Sequence, residues 1–446
     1  MEDFNIVQRL NFKMKLHNHL SLSEVNASVS VPSNKSFWKN MGAYIGPGLM
    51  VAVGYVDPGN WATDIAGGAR FGYTLLSVIL ISNLFAMLLQ HLALKLGIAT
   101  GMDLAQACKA YFPKPIAMIL WVLAEVAIAA CDLAEVIGSA IALNLLFGIP
   151  LAVGVVITTL DVLLILYFQN KGFRIIESIV GGLMAVVLLC FIYEVIVSNP
   201  SLIALAGGLI PQKQIITDPG MLYIGIGILG ATVMPHNLYL HSSIVQTRAY
   251  PRTEAGRRSA IHYATIDSTA SLGIAFFINA AILILAAATF HYSGNQQVAD
   301  ITDAHQLLDP LLGSKWASVL FAVALLAAGQ NATITGTLAG QIVMEGFLDI
   351  QLRPWLRQLI TRLIAIVPAL FVAIYYGEHG SSELLVLSQV VLSAQLSFAV
   401  IPLIVFTSKK DWMGRFVNSW GLSVLSWVIA TVIVVLNIYL LVDTLK

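Results

Sequence analysis

The stretch Val56-Asp57-Pro58-Gly59-Asn60-Trp61-Ala62-Thr63-Asp64 (VDPGNWATD) lies inside a long apolar run. It places an acidic side chain, a helix-breaking proline and a glycine where hydrocarbon would surround an ordinary helix. A second stretch, VMPHNLYLH from Val233 to His241, repeats the anomaly. The class of the chain decides how both are read. Of its 446 residues, 58% are hydrophobic and 11% charged, whereas a soluble domain carries about 25% charged residues. So little polar surface could not cover a soluble protein of this size. The composition indicates an all-α polytopic membrane protein in a lipid bilayer.

Lys plus Arg and Asp plus Glu number 24 each, which removes the electrostatic case for a nucleic-acid partner. Cys108, Cys131 and Cys190 show no C-x-x-C spacing and read as small buried apolar residues. Roughly the first 37 residues are polar and mixed, with no charged region followed by an apolar one. They predict a loosely ordered tail rather than a cleaved signal peptide.

Eleven apolar segments are each long enough for about 30 Å of hydrocarbon. They run roughly over 42–69, 72–97, 115–147, 150–169, 175–198, 218–247, 259–290, 315–347, 357–376, 381–407 and 419–443. With the N-terminus in the cytoplasm, all but Arg70, Lys213, Lys315 and Lys446 of the 24 basic residues fall on the cytoplasmic side. This positive-inside bias predicts a cytoplasmic N-terminus and, after eleven crossings, an extracellular C-terminus.

The two anomalous stretches align. Asp57-Pro58-Gly59-Asn60 sits in the first span and Met234-Pro235-His236-Asn237 in the sixth, each after glycine-rich sequence. They are offset by five spans, an odd number of crossings, so a five-helix repeat inverts in the membrane. Matching Gly/Pro-interrupted spans in two inverted halves point to a transporter site. The organisation expected is a tail over 1–40, a first repeat over 41–199, a second over 200–410 and an additional span over 411–446. Pro58 and Pro235 lack an N–H and free backbone carbonyls of the preceding turn. The carbonyls of Gly54 and Ala231, three residues before each break residue, are therefore candidate donors to a cation. Asp57 offers a charged oxygen, Asn60 a neutral one and Met234 a thioether. Oxygen cages suit Mg²⁺ and Ca²⁺, and a sulfur donor favours softer transition metals. The mixed set points to Mn²⁺, Fe²⁺ or a similar ion. A packing role for the methionine is the alternative.

Glu125, Asp132, Glu135, Asp161, Glu194, His236 and His241 are ionisable groups at membrane depth, where such groups are costly. Asp132 and Glu135 are spaced i,i+3 and share a helix face. Glu125 lies two turns earlier on nearly the same stripe, and a row of carboxylates suits proton transfer. His236, two residues from Met234, has an ordinary pKa suited to a relay near neutral pH. An ion pair is the alternative for Asp132 and Glu135, and packing for His241. Asp161 and Glu194 match no motif. His291 and His305 fall near an outer loop with Asp300, Asp303 and Asp309, which reads as a solvated acidic loop. Asn331-Ala332-Thr333 is a formal glycosylation sequon placed inside a span, where helix packing is its better reading.

DPGN in the first span and MPHN in the sixth resemble the Nramp family of proton-coupled divalent-metal transporters. GIATG after the second span, CDLAEVIGSA in the third, YLHSS in the sixth and GTLAGQIVMEGF in the eighth extend the resemblance over residues 40–440. It implies a LeuT-type fold, with two inverted five-helix repeats and broken helices 1 and 6. It implies a symporter that imports Mn²⁺ and Fe²⁺, and also Cd²⁺ or Co²⁺, with protons at the cell membrane. No permanently bound cofactor and a monomer are expected. Asp57, Asn60, Met234 and the carbonyls of Gly54 and Ala231 match the family's metal positions, and Gln389 matches a residue that contributes in some conformations. Relatives that move Mg²⁺ or Al³⁺ alter the methionine. Asp57, His236, Asp132 and Glu135 match its proton-pathway positions. The family places two adjacent arginines in the ninth span. Here Arg357 is followed by Gln358, and the next basic residue is Arg362, which departs from many bacterial members.

Rival readings are a Na⁺-coupled amino-acid transporter of the same fold, a metalloenzyme using His236 and Asp57, and a channel. The first would want bare N–H groups at a break rather than an aspartate beside a methionine. The second lacks an H-E-x-x-H or comparable motif. Nothing in the sequence argues for an open pore.

Overall fold

Proline and glycine set the boundaries of the first helices. A computed structural model describes residues 20–32, 36–158, 160, 172–298, 300–348, 354–375 and 377–444. Helix α1 (Phe37–Tyr44) leads into α2 (Pro47–Val53), with Gly46 at φ +138°, a conformation open to glycine. A single 3₁₀ turn, Gly54–Val56, follows, and Asp57 is extended at φ −69°, ψ 164°. Helix α3 (Pro58–Phe71) then starts afresh, with Asp57 as its N-cap and Pro58 in its first turn. The first span is thus two half-helices joined at Asp57.

Helices α4 (Leu76–Thr100), α5 (Leu104–Tyr111), α6 (Lys114–Phe147), α7 (Leu151–Thr158) and α8 (Phe173–Ser198) follow. The second break mirrors the first. Helix α9 (Pro219–Thr232) ends before Val233, Met234 is extended at φ −78°, ψ 125°, and α10 (Pro235–Ile244) begins on Pro235. The remaining long elements are α11 (Glu254–Ala286), α12 (Ile301–Leu312), α13 (Ala317–Leu348), α14 (Pro354–Tyr375), α15 (Gly377–Thr407) and α16 (Trp420–Thr444).

Eight helices among the described residues are long and apolar enough to cross a membrane, and Pro47–Val56 and Ile366–Tyr375 are shorter apolar helices. The first apolar window yields short pieces because the break divides it. The window over 150–169 is described as helix only to Thr158. The outer surface carries large apolar side chains such as Ile196, Phe277, Val367 and Trp420, as a lipid-facing surface requires. The chain is a multi-pass membrane protein.

Helix α6 is the central post. It packs against α7, α13, α14 and α15, and α3 packs against α9, α11 and α15. Small residues permit the closest approaches. Gly138 of α6 lies directly on the Pro58 ring, and Gly97 of α4 lies on the Ser242 backbone. Asn331 is buried and donates to the Val180 carbonyl at 3.2 Å. The sequon therefore serves packing, as its place in a span implied.

Part of the tail departs from expectation, and residues 1–19 and 33–35 lie outside the described residues. Residues 20–32 are docked rather than loosely ordered: Leu22 is 2% exposed, and strand β1 (Val29–Ser30) pairs in parallel with β2 (Arg248–Ala249). Polar composition did not reveal this, because the docking uses backbone pairing and one inserted leucine rather than a periodic apolar face.

Candidate functional site

The two breaks meet. The Asn60 amide Nδ2 donates to Asp57 Oδ1 at 2.6 Å and, across the interface between halves, to the Ala231 carbonyl at 3.1 Å. The Asn60 backbone N–H also donates to Asp57 Oδ1, at 3.0 Å. One asparagine thus ties the start of α3 to the end of α9. Asp57 is fully buried. Its second oxygen Oδ2, together with Asn60 Oδ1 and Gln389 Oε1, finds no hydrogen-bond partner among the described residues. Such buried acceptors are costly in a membrane interior unless something positive answers them.

Gln389 on α15 lies between the breaks. A Cβ on Gly59 would overlap its amide and stand 3.1 Å from Asp57 Oδ2, while its backbone carbonyl is 3.1 Å from where a Cβ on Gly230 would be. Both glycines are therefore demanded by close approach. Met234, fully buried, packs with Ala127 and Cys131 of α6 and with Leu392, three residues after Gln389. The methionine is held against the same two helices that flank the first break. At Gly54 the Asn237 amide fills the space a Cβ would need. Each break thus receives an asparagine, and the two chain ends entering them, α2 and α9, present backbone carbonyls.

A second line of groups leads away along α6. His236 Nε2 lies 3.8 Å from Cys131 Sγ, and that thiol donates to Glu135 Oε1 at 3.4 Å. The Asp132 and Glu135 carboxylates converge over Gly336 of α13, within 2.8–3.2 Å of where a Cβ would sit. The spacing argument for these two side chains is realised in space. Glu125 stands apart, half-buried, and accepts from Trp121 Nε1 at 2.9 Å. The side chains of Arg357 and Arg362, and Asp161, lie outside the described residues. Glu194 is buried on α8 without a hydrogen-bond partner among the described residues. His291 leaves the outer-loop group, since its Nδ1 lies 3.0 Å from the Ala69 carbonyl. Asp309 caps α13 by accepting from the Ser318 N–H and Oγ, each at 2.9 Å.

Several residues at the breaks carried no role in the sequence reading. Asn279 donates to the Tyr55 carbonyl at 2.7 Å, satisfying a group freed by the unwinding. The Tyr55 hydroxyl accepts from Gln90 at 2.7 Å, and Gln90 Oε1 lies 2.9 Å from His241 Nδ1. His241 is thus a partnered packing residue, as its alternative reading held, and it is linked to the first break. Asp64, two turns beyond Asp57, is buried with Oδ2 unpartnered among the described residues. Cys131 was read as apolar packing, and no spacing signal marked it as a bridge. Asn237 was visible only through its alignment with Asn60.

Among the described residues, no three His, Cys, Asp or Glu side chains gather to hold a metal ion. The site offers one carboxylate with amides, carbonyls and a thioether nearby.

The family model described as Natural resistance-associated macrophage protein-like (Nramp) matches residues 48–443. A Listeria monocytogenes protein named divalent metal cation transporter MntH is 63% identical over 431 residues, covering 97% of this chain and 96% of its own. A crystal structure of the Eremococcus coleocola manganese transporter, in complex with an aromatic bis-isothiourea substituted compound, superposes with a TM-score of 0.88. It is 43% identical and covers 94% of this chain and 90% of its own. The nucleobase-cation-symport-1 family transporter Mhp1 shares the fold at a TM-score of 0.61 and 16% identity, covering 89% of each chain.

Proposed function

The chain belongs to the Nramp family, whose members are transporters and not enzymes, and from that premise we propose that it is a proton-coupled symporter importing divalent transition metals by alternating access. The observation that carries the reading is the Asn60 bridge, which brings Asp57 of one half and Ala231 of the other to one buried locus. Asp57, Asn60, Met234, Gln389 and the carbonyls of Gly54 and Ala231 would hold the ion. The thioether favours Mn²⁺, Fe²⁺, Cd²⁺ and Co²⁺ over Mg²⁺ and Ca²⁺. The printed names of the relatives, divalent metal cation and manganese transporters, support that substrate class.

Protons would pass from the metal locus through His236 to Glu135 and Asp132. The contacts of Cys131 with His236 and Glu135 support that direction. Arg357 and Arg362 lie on α14, which packs against α6, and would balance these carboxylates. Glu125 would extend the path along the same helix.

The inverted repeats would comprise 41–199 and 200–410, with 411–446 added outside them. We place the protein in the cell membrane as a monomer, with its N-terminus in the cytoplasm and its C-terminus outside. The membrane potential then draws a divalent ion inward by about 4.6 kcal/mol per 100 mV, twice the single-charge value.

Proteoliposomes carrying an internal pH dye test the reading. Mn²⁺ uptake should acidify the lumen in the wild type, and Asp57→Ala should lose both signals. Robust Mn²⁺ uptake by Asp57→Ala would refute the site.

A further inference from the structure

The docked tail joins elements that a transporter of this kind must separate. Ser21 is buried, donates to the Asp103 carboxylate, and lies 2.6 Å from Ser243 Oγ. Asp103 caps α5 just after α4, whereas Ser243 belongs to α10, the second half of the sixth span. The Ala27 N–H donates to the Gln246 carbonyl at 3.0 Å, and β1 pairs Val29 with Arg248 and Ser30 with Ala249. Arg248 is itself buried. It donates to Glu177 of α8 at 2.7 Å and to the carbonyls of Ala43 and Ile45 at 3.0 and 2.8 Å. The tail therefore seals a face where the ends of α1, α8 and α10 already converge.

Two features show that the docking is built rather than incidental. Leu22 and Ala27 hold φ angles of +46° and +52°, a region that non-glycine residues adopt only at a cost. The cost is offset by burial, since Leu22 enters the main apolar core and Val31 packs against the cluster around Tyr44 and Tyr250. The segment is nonetheless small. Its buried side chains are Ser21, Leu22 and Val29, a small set for a conformational change to displace.

We propose that residues 20–31 form a latch that holds this face of the protein closed and must undock before the ion can leave through it. The inference rests on the transport reading above, with this face cytoplasmic. While the latch is docked, α10 is tied to α5 and cannot part from it. Undocking frees Ser243 and the Arg248 backbone together, which leaves the Arg248 side-chain bonds to Ala43, Ile45 and Glu177 as the remaining tie to break before the second half of the sixth span and the first half of the first move apart. The latch makes release conditional on the state of the tail.

Paired residues of β1 and β2 supply the test. Ser30→Cys with Ala249→Cys places two thiols on neighbouring paired strands, within reach of a disulfide. Oxidation of the full-length double variant in proteoliposomes should cut Mn²⁺ uptake roughly tenfold or more in proportion to crosslinking, and reduction should restore it. Neither single variant should respond. Uptake at the uncrosslinked rate by a fully crosslinked population would overturn the latch. Wild-type Mn²⁺ uptake in the same vesicles tests the transport reading separately. A second measurement does not depend on transport: the alkylation rate of Ala43→Cys, a position 6% exposed, by an impermeant maleimide on the tail side. Adding Ser21→Ala and Leu22→Ala should raise that rate several-fold, and an unchanged rate would equally overturn the proposal.

Discussion

At Gly59 the site leaves no room for a side chain, because the Gln389 amide and Asp57 Oδ2 occupy the space around its α-carbon. A glycine after Pro58 is thus a packing requirement as well as a break signal. Met234 is the residue proposed to separate metals. It sits at the second break with no exposure, packed between α6 and α15. Met234→Ala removes the only thioether proposed to reach the ion. Uptake of Mn²⁺ and Cd²⁺ should fall by about tenfold, equivalent to ~1.4 kcal/mol, while Ca²⁺ or Mg²⁺ gains relative to them. Competition uptake with a panel of divalent ions reads this directly, and an unchanged selectivity profile would return Met234 to a packing role.

Helix α6 connects the proposed metal locus to the proposed proton path. It touches Pro58 through Gly138 and Met234 through Cys131, and it carries Asp132 and Glu135 on one face. A change of charge on α6 can therefore reach both breaks without a long chain of intermediates. Asp132→Asn should reduce proton flux or alter its voltage dependence more than it weakens Mn²⁺ binding. Parallel measurements of vesicle acidification and Mn²⁺ affinity check this, and acidification at the wild-type rate would remove Asp132 from the path. The two half-helix spans were legible in sequence because proline and an extended N-cap residue leave an unmistakable mark in an apolar run. The i,i+3 carboxylates were legible because helical periodicity fixes their face. Gln389 was legible only by family resemblance, since its position between Gly59 and Gly230 is made by tertiary packing. The Cys131 bridge and the Asn279 cap on Tyr55 left no mark, because single side chains that meet across helices have no periodic signature. The docking of residues 20–32 was missed for a related reason: its β1–β2 pairing is too short to show an alternating pattern.

At the scale of the whole molecule, the described helices surround a buried polar locus where one half-broken span faces another. Large apolar side chains such as Ile196 and Phe277 stand on the outer surface, as a lipid-facing surface requires. The arrangement joins two requirements: backbone freed from helix must be enclosed by protein, and an ion must be gripped weakly enough to be released. The Asn60 bridge meets the first by tying Asp57 to the Ala231 carbonyl, and the single carboxylate of the proposed ligand set suits the second. The latch extends the same logic to the tail side, where a modest set of contacts ties down the elements that would part. The central claim is that both breaks grip one ion together. Anomalous scattering from crystals grown with Mn²⁺ tests it most directly. The account predicts a single peak within coordinating distance of both the Asp57 carboxylate and the Met234 sulfur, and a peak that reaches only one of them, or lies elsewhere in the bundle, would contradict it.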